Sequence, residues 1–331
     1  MSGFSRREFF KRSLASGLAG GLAFTGPGKQ ASASKPQVGT VIDLTRCDGC
    51  REFKIPACVT ACGRENRDRF PRPVEEIGDY WPQKKKEDWS DKKELTTRLT
   101  PYNWTFVQKV TVEHRGKSYA LAVPRRCMHC DNPPCANLCP FSAQHKKPEG
   151  PVVIDTNLCL GGAKCRDVCP WGIPARQAGV GLYLKIAPKF AGGGVMYKCD
   201  LCYPRLQAGK KPACVEACPR QAILIGPLGE MRALARARAR VIKGYIYGEK
   251  ENGGTSTLYI SPAPFTKIHT ALEKQKASQP NPALPGFPGM PAEVGNYMDS
   301  VNGIALSMVA APVAGAVAAG YAAYRTMKGD K

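Results

Sequence analysis

The sequence predicts an α+β fold of paired cysteine-rich modules followed by a transmembrane helix, and three observations predict it. Fifteen cysteines fall into four groups, each closing on a C-x3-C step. Short apolar runs of strand character flank these groups, "VGTVIDL" (38–44), "PVVID" (151–155) and "AILIG" (222–226). A charge-free stretch then runs from Gly303 to Tyr324; as a helix it measures about 33 Å, against a bilayer hydrocarbon core of about 30 Å.

Composition bounds the possibilities. At 331 residues and 43% hydrophobic content the chain can bury a proper core, and a mean hydropathy of -0.30 excludes a polytopic membrane protein. The surplus of 48 Lys+Arg over 27 Asp+Glu, net +21, suits a docking face for an anionic membrane surface or an acidic partner, or simply solubility. No helix-turn-helix and no basic strand interleaved with aromatics accompanies it, so no nucleic acid is expected as a partner. An odd and dilute set of cysteines argues against a disulfide framework.

Taken in chain order, residues 1–33 read as a twin-arginine signal peptide. Arg6-Arg7 is followed by a weakly apolar core from Leu14 to Phe24, too short to span a bilayer, and by the small-x-small site Ala31-Ser32-Ala33. The twin-arginine route carries proteins already folded around cofactors, so the body, 34–270, is expected outside the cytoplasm. Its first group is "CDGCREFKIPACVTAC": Cys47, Cys50, Cys58 and Cys62. An insert, 63–126, follows. Its "KKKEDWSDKKEL" (84–95) reads as a solvated surface and its "WTFVQKVTVEHRGKSYALAV" (104–123) as a hairpin.

The second group, "CMHCDNPPCANLCP", holds Cys127, Cys130, Cys135 and Cys139, with His129 between ligands. There it either tunes a potential by hydrogen bonding or fills space. The third group, "CLGGAKCRDVCP", has only Cys159, Cys165 and Cys169, because Gly162 stands where a fourth is due. Cys199, Cys202, Cys214 and Cys218 make up the fourth. Then "GEMRALARARARVIKG" (229–244) reads as a helix with Arg232, Arg236 and Arg240 on one exposed basic face. Residues 271–300, Pro-rich over 278–295, read as an extended spacer. Within and after the anchor, 301–325, the charge-free stretch is followed by Arg325, Lys328 and Lys331, which puts its C-terminal end in the cytoplasm and the body on the periplasmic side. Ala311, Gly315 and Ala319 suit packing against another membrane helix.

The C-x2-C pairs let one tight turn aim two thiolates at one cluster, while the C-x3-C helical step swings the last thiolate toward another. In two-cluster ferredoxins that last cysteine ligates the partner run's cluster, so ferredoxin-like runs work in pairs. Zinc is the rival for C-x2-C pairs, as a zinc-stabilised adaptor, but seldom needs the trailing C-x3-C-P. No nucleophile–base constellation, phosphate loop or dinucleotide fingerprint is present, and His114, His145 and His269 sit in no ligand spacing.

Four such groups with a basic insert after the first resemble the iron–sulfur electron-transfer subunit of bacterial respiratory oxidoreductases, of the DMSO reductase, formate dehydrogenase-N and nitrate reductase β-subunit type. The resemblance covers about residues 38–270 and is closest to the Hyb-type hydrogenase iron–sulfur protein, through "YGEKENGGTSTLYISPAPF" (247–265) and the anchor. It implies two nested ferredoxin-like double-cluster modules. Cys47, Cys50 and Cys58 with Cys218 would hold one [4Fe–4S] cluster, and Cys199, Cys202 and Cys214 with Cys62 a second. Cys127, Cys130 and Cys135 with Cys169 would hold a third. Cys159, Cys165 and Cys139 are left for a [3Fe–4S] cluster, unless water or another ligand keeps a fourth iron at Gly162; Lys164 is a poor candidate while charged. The Hyb-type pattern has all four ligands here, whereas nitrate reductase β subunits depart from it at the matching place. The resemblance further implies a non-catalytic relay between a catalytic subunit, hydrogenase or molybdopterin type, and a multi-spanning quinone-interacting membrane subunit. An enzyme acting alone at an open iron is the alternative.

Overall fold

The computed structural model describes residues 36–78, 86–186 and 193–305. The expected signal peptide and most of the expected anchor lie outside these residues. Among the described residues no helix is long and apolar enough to cross a membrane.

The strands are Val38–Asp43 (β1), Phe106–His114 (β2), Lys117–Arg125 (β3), Gln144–Lys146 (β4), Val152–Ile154 (β5), Ala175–Gln177 (β6), Val195–Tyr197 (β7), Ile223–Pro227 (β8), Tyr245–Tyr247 (β9) and Thr257–Ser261 (β10). The longer helices are Ala57–Asn66 (α1), Leu228–Val241 (α2) and Phe265–Ala277 (α3). One mixed sheet has the order β8-β1-β10-β9, and three two-stranded ribbons pair β2 with β3, β4 with β5 and β6 with β7. The strands expected at 38–44, 151–155 and 222–226 are β1, β5 and β8.

β1 is covered on both faces, which is why it reads as a nearly continuous apolar run. Val41 packs with Leu258 and Ile260 under Ala235 and Ala239 of α2; two alanines on that face let the helix lie close to the sheet. Ile42 and Tyr259 face the other way, into the core that contains most of the cysteines. The hairpin expected over 104–123 forms as β2–β3, with His114 opposite Lys117. Arg115 and Gly116 turn it with φ of 50° and 70°, the two positive values that a twist-matched two-residue turn needs.

Strand pairing brings distant cysteine groups together. β1 runs into Cys47 and β8 follows Cys218; their antiparallel register sets Ile42 against Ile223. β4 follows Cys139 and β5 precedes Cys159, with Gln144 opposite Ile154. Ala61 of α1 packs against Cys202 and Ala213, beside Cys214.

Three expectations change. The Pro-rich stretch is no free spacer. Arg98 donates to the carbonyls of Leu284 and Pro285 (2.9 and 3.1 Å), Leu99 N–H to Gly286 O (2.8 Å) and the Tyr247 hydroxyl to Pro291 O (2.8 Å). Met290 is completely buried. The segment is a strap held through its carbonyls, which proline leaves free to accept. Nor is the α2 face bare: of the three arginines expected on it, Arg232 pairs with Asp131 and Arg236 with Glu249, while Arg240 is exposed as expected; Arg238, off that face, pairs with Asp43. Finally, the charged run 84–95 is not all solvated. Trp89 is 2% exposed, and Glu87 takes Arg166 on both oxygens (2.6 and 2.7 Å) and Arg176 on one (2.7 Å). Glu87 thus clamps the third cysteine group to β6.

Candidate metal centres

All fifteen cysteines are free thiols, and the fold gathers them into four sites. Site 1 collects Cys47, Cys50, Cys58 and Cys218 around one small cavity. Burial, with Cys218 and Cys50 adding, pushes the Cys47 thiol up to about 11. Arg220, next but one after Cys218, reaches Asp48 and Glu52 (both 2.8 Å) and staples the two groups together. Site 2 collects Cys62, Cys199, Cys202 and Cys214 around one small cavity. Burial raises the Cys62 thiol, and Cys199, Cys214 and Cys202 raise it further.

At site 3, burial raises Cys135, with Cys169, Cys130 and Cys127 adding to it. Site 4 has Cys139, Cys159 and Cys165; burial raises Cys165, then Cys159 and Cys139 do. An open cavity of about 380 Å³ adjoins these three, walled by Phe141, Leu160, Gly161, Gly162 and Met196. The same interactions order the sites: Cys58 is raised by Cys214, Cys199 by Cys127 and Cys165 by Cys169. Site 1 thus adjoins site 2, site 2 adjoins site 3, and site 3 adjoins site 4.

Thiols that raise one another in the interior need a cationic load before they can all ionise. The donor chemistry specifies which load. Among the described residues no three Cys, His, Asp or Glu side chains converge as the ligands of a single metal ion, whereas zinc needs its sulfurs about 2.3 Å from one point. Thiols ringed about a cavity fit a polynuclear iron–sulfur core. Donors already point at the sulfurs: Asn252 Nδ2 to Cys130 (3.1 Å), Ala222 N–H to Cys218 (3.2 Å), and the N–H groups of Gln144, Met196 and Leu201 to Cys139, Cys159 and Cys199 (each 3.4 Å). Such hydrogen bonds stabilise charged sulfur and help set cluster potentials.

Gly162 explains how site 4 differs. Gly161, at φ 69°, must be glycine, because a Cβ there would meet Gly194 O at 2.4 Å. Gly162 has no such need: its φ is not left-handed and a Cβ would meet nothing within 4 Å. The backbone leaves room for a fourth cysteine that the sequence does not place there. Lys164, like Gly162, is solvent-exposed.

The buried polar groups Arg126, His129 and Lys198 between the sites are functional candidates too. His129 stood out in the sequence; the two cations did not, since a basic residue beside a cysteine also occurs at exposed Arg46.

Two stretches, 46–143 and 118–228, match models of the 4Fe-4S dicluster domain. The probable anaerobic dimethyl sulfoxide reductase chain YnfG of Escherichia coli is 30% identical over 258 residues, covering 78% of this sequence and 98% of that protein. The hydrogenase-2 operon protein HybA of Escherichia coli O157:H7 is 29% identical over 304 residues, covering 80% and 83%. A protein of Nitratidesulfovibrio vulgaris is 31% identical over 299 residues, covering 88% and 73%.

Proposed function

The protein belongs to the 4Fe-4S dicluster family of iron–sulfur electron-transfer subunits of oxidoreductases, and on that premise we propose that it is a non-catalytic wire of three [4Fe–4S] clusters and one [3Fe–4S] cluster. The observation that carries this reading is the gathering of cysteines from distant groups around shared cavities, each site adjoining the next. Iron–sulfur clusters supply one-electron transfer; everything else is the work of the polypeptide. Most ligands of sites 2 and 3 are buried, which keeps water from the middle of the relay. Cys47 and Cys218 at one end, and Cys139 and Cys165 at the other, are more exposed than most of the inner ligands, as a relay with two docking ends requires.

The catalytic partner, hydrogenase or molybdopterin type, belongs at one end and a multi-spanning quinone-interacting subunit at the other. Site 4 suits the membrane side, since Phe141 and Leu158 present exposed apolar surface next to it (39% and 46%). Export by the twin-arginine signal at 1–33 and anchoring by 301–325 complete the reading and rest on the sequence.

The test is EPR with iron quantitation on anaerobically purified, air-oxidised protein. A near-isotropic signal of an oxidised three-iron cluster and about fifteen irons per chain are expected. About sixteen irons without that signal would favour the second reading, an open iron held by a non-cysteine ligand at exposed Gly162. Turnover by the isolated protein would then be the next assay.

A further inference from the structure

Three basic or imidazole side chains lie buried between sites 2 and 3, and they cross over. Arg126 and His129 belong to the segment that carries Cys127 and Cys130 of site 3, yet both reach site 2. Arg126 Nη1 stands 3.8 Å from Cys214 Sγ, and His129 Nε2 stands 3.8 Å from Cys199 Sγ. Lys198 precedes Cys199 of site 2, yet its ammonium donates to the carbonyl of Val152, which packs in one cluster with Cys135 of site 3. Each segment sends its charge to the other segment's cysteines.

None of this charge has a conventional counterion. Arg126 and Lys198 are 2% and 6% exposed, and neither forms an ion pair with a carboxylate among the described residues. Asp200, the carboxylate that does act on Lys198, is already held by Arg69 at 2.7 Å. The Lys198 ammonium donates only to carbonyls, those of Val152 and of Cys199 (3.1 Å to the latter). Arg126 donates to the Thr40 hydroxyl at 2.6 Å, and its Nε has no partner. Unpaired cations are among the most costly groups to bury, so the anionic sulfur sites on either side are the counter-charge that makes their burial tolerable. His129 is fixed in a single role by its other nitrogen: Nδ1 accepts the Val152 N–H at 3.0 Å, which leaves the ring proton on Nε2, facing Cys199.

We infer that Arg126, Lys198 and the Nε2–H of His129 form a charge bridge that raises the reduction potentials of the two inner sites together. Reduction of either site adds one electron, received from its neighbour along the relay, and no proton. A fixed positive charge beside the site stabilises the more negative, reduced form. Because the bridge touches both inner sites, it holds their potentials close to each other and so keeps the central step of the relay nearly level. Site 1 lies farther along the relay, beyond site 2, whereas Lys198 also acts on Cys165 of site 4, after that thiol's own neighbours. Arg126 and Lys198 are positioning residues in this sense, acting through charge and not through ligation.

The inference rests on the reading of the four cysteine groups as cluster sites, and one preparation separates the two. Iron content and the EPR signals of the full-length protein test the reading, while EPR-monitored redox titration tests the bridge. Lys198→Met should shift the inner-site potentials downward, changing their oxidised-to-reduced ratio at a fixed poise at least tenfold, which for one electron is 59 mV. Site 1 should stay in place, site 4 should move less than the inner sites, and Lys198→Arg should keep wild-type values. Arg126→Gln should lower site 2 more than site 3. Unchanged inner potentials in a fully loaded Lys198→Met protein, or an equal shift at all four sites, would overturn the inference. Should the neutral variants fail to assemble, the charge-conserving Lys198→Arg and Arg126→Lys decide: full cluster content in these supports a charge role, and cluster loss in them too assigns the residues to packing and overturns it.

Discussion

Replacing Gly162 by cysteine asks directly whether site 4 lacks only a ligand. A Cβ at 162 meets no atom within 4 Å, and the position is outside the left-handed region, so the substitution carries no steric penalty. Loss of backbone freedom in the unfolded chain should make it neutral to slightly stabilising, by about 0.4–1 kcal/mol. The new thiol would adjoin the cavity that Cys139, Cys159 and Cys165 already line. Gly162→Cys should therefore raise the iron content by about one per chain and abolish the oxidised three-iron EPR signal, while the signals of the reduced clusters at sites 1 to 3 persist. Iron assay and EPR on anaerobically reconstituted protein read both effects. An unchanged three-iron signal in a stable, fully loaded variant would refute the reasoning, because it would mean that position 162 does not face the site.

Three further outcomes follow from the same geometry. Cys62→Ser should cost site 2 an iron while leaving site 1 intact, although Cys62 shares its helix with Cys58 of site 1; the EPR spectrum of the variant tells the two apart. Glu87→Gln should destabilise the protein by about 2 kcal/mol near neutral pH in denaturant titration, since it breaks charge-assisted hydrogen bonds to Arg166 and Arg176. Burial pushes the Glu87 carboxyl up, but those guanidiniums outweigh it and hold it below its ordinary 4.5. Its contribution is thus present above that value and fades as pH falls through the folded value, so the difference between wild type and variant should shrink in acid. Ala235→Leu should cost about 1–3 kcal/mol by overpacking α2 against β1 and β10, again by denaturant titration.

The cysteine groups, the hairpin and the strands beside the ligands could be read directly from the sequence, since each is a local pattern. Ligand spacing is a property of one turn, and strand alternation a property of a few residues. Gly162 was visible for the same reason, as a gap in a spacing. Which residues near those cysteines carry weight was decided by the tertiary structure. Arg46, Arg126 and Lys198 look alike as basic neighbours of a first cysteine, yet only the latter two are enclosed between sites. Glu87 sat in a charge run that composition assigns to solvent, and its arginine partners lie some 80 residues away (|i−j| of 79 and 89). The α2 arginines kept their helical spacing, but the helix lies across acidic loops that no periodicity reveals. The Pro-rich strap owes its place to carbonyls accepting bonds from Arg98, Leu99 and Tyr247. Pairing partners distant in sequence are chosen by packing, where burial turns a side chain's charge from a solubility feature into an electrostatic one; that choice exists only once the fold has closed.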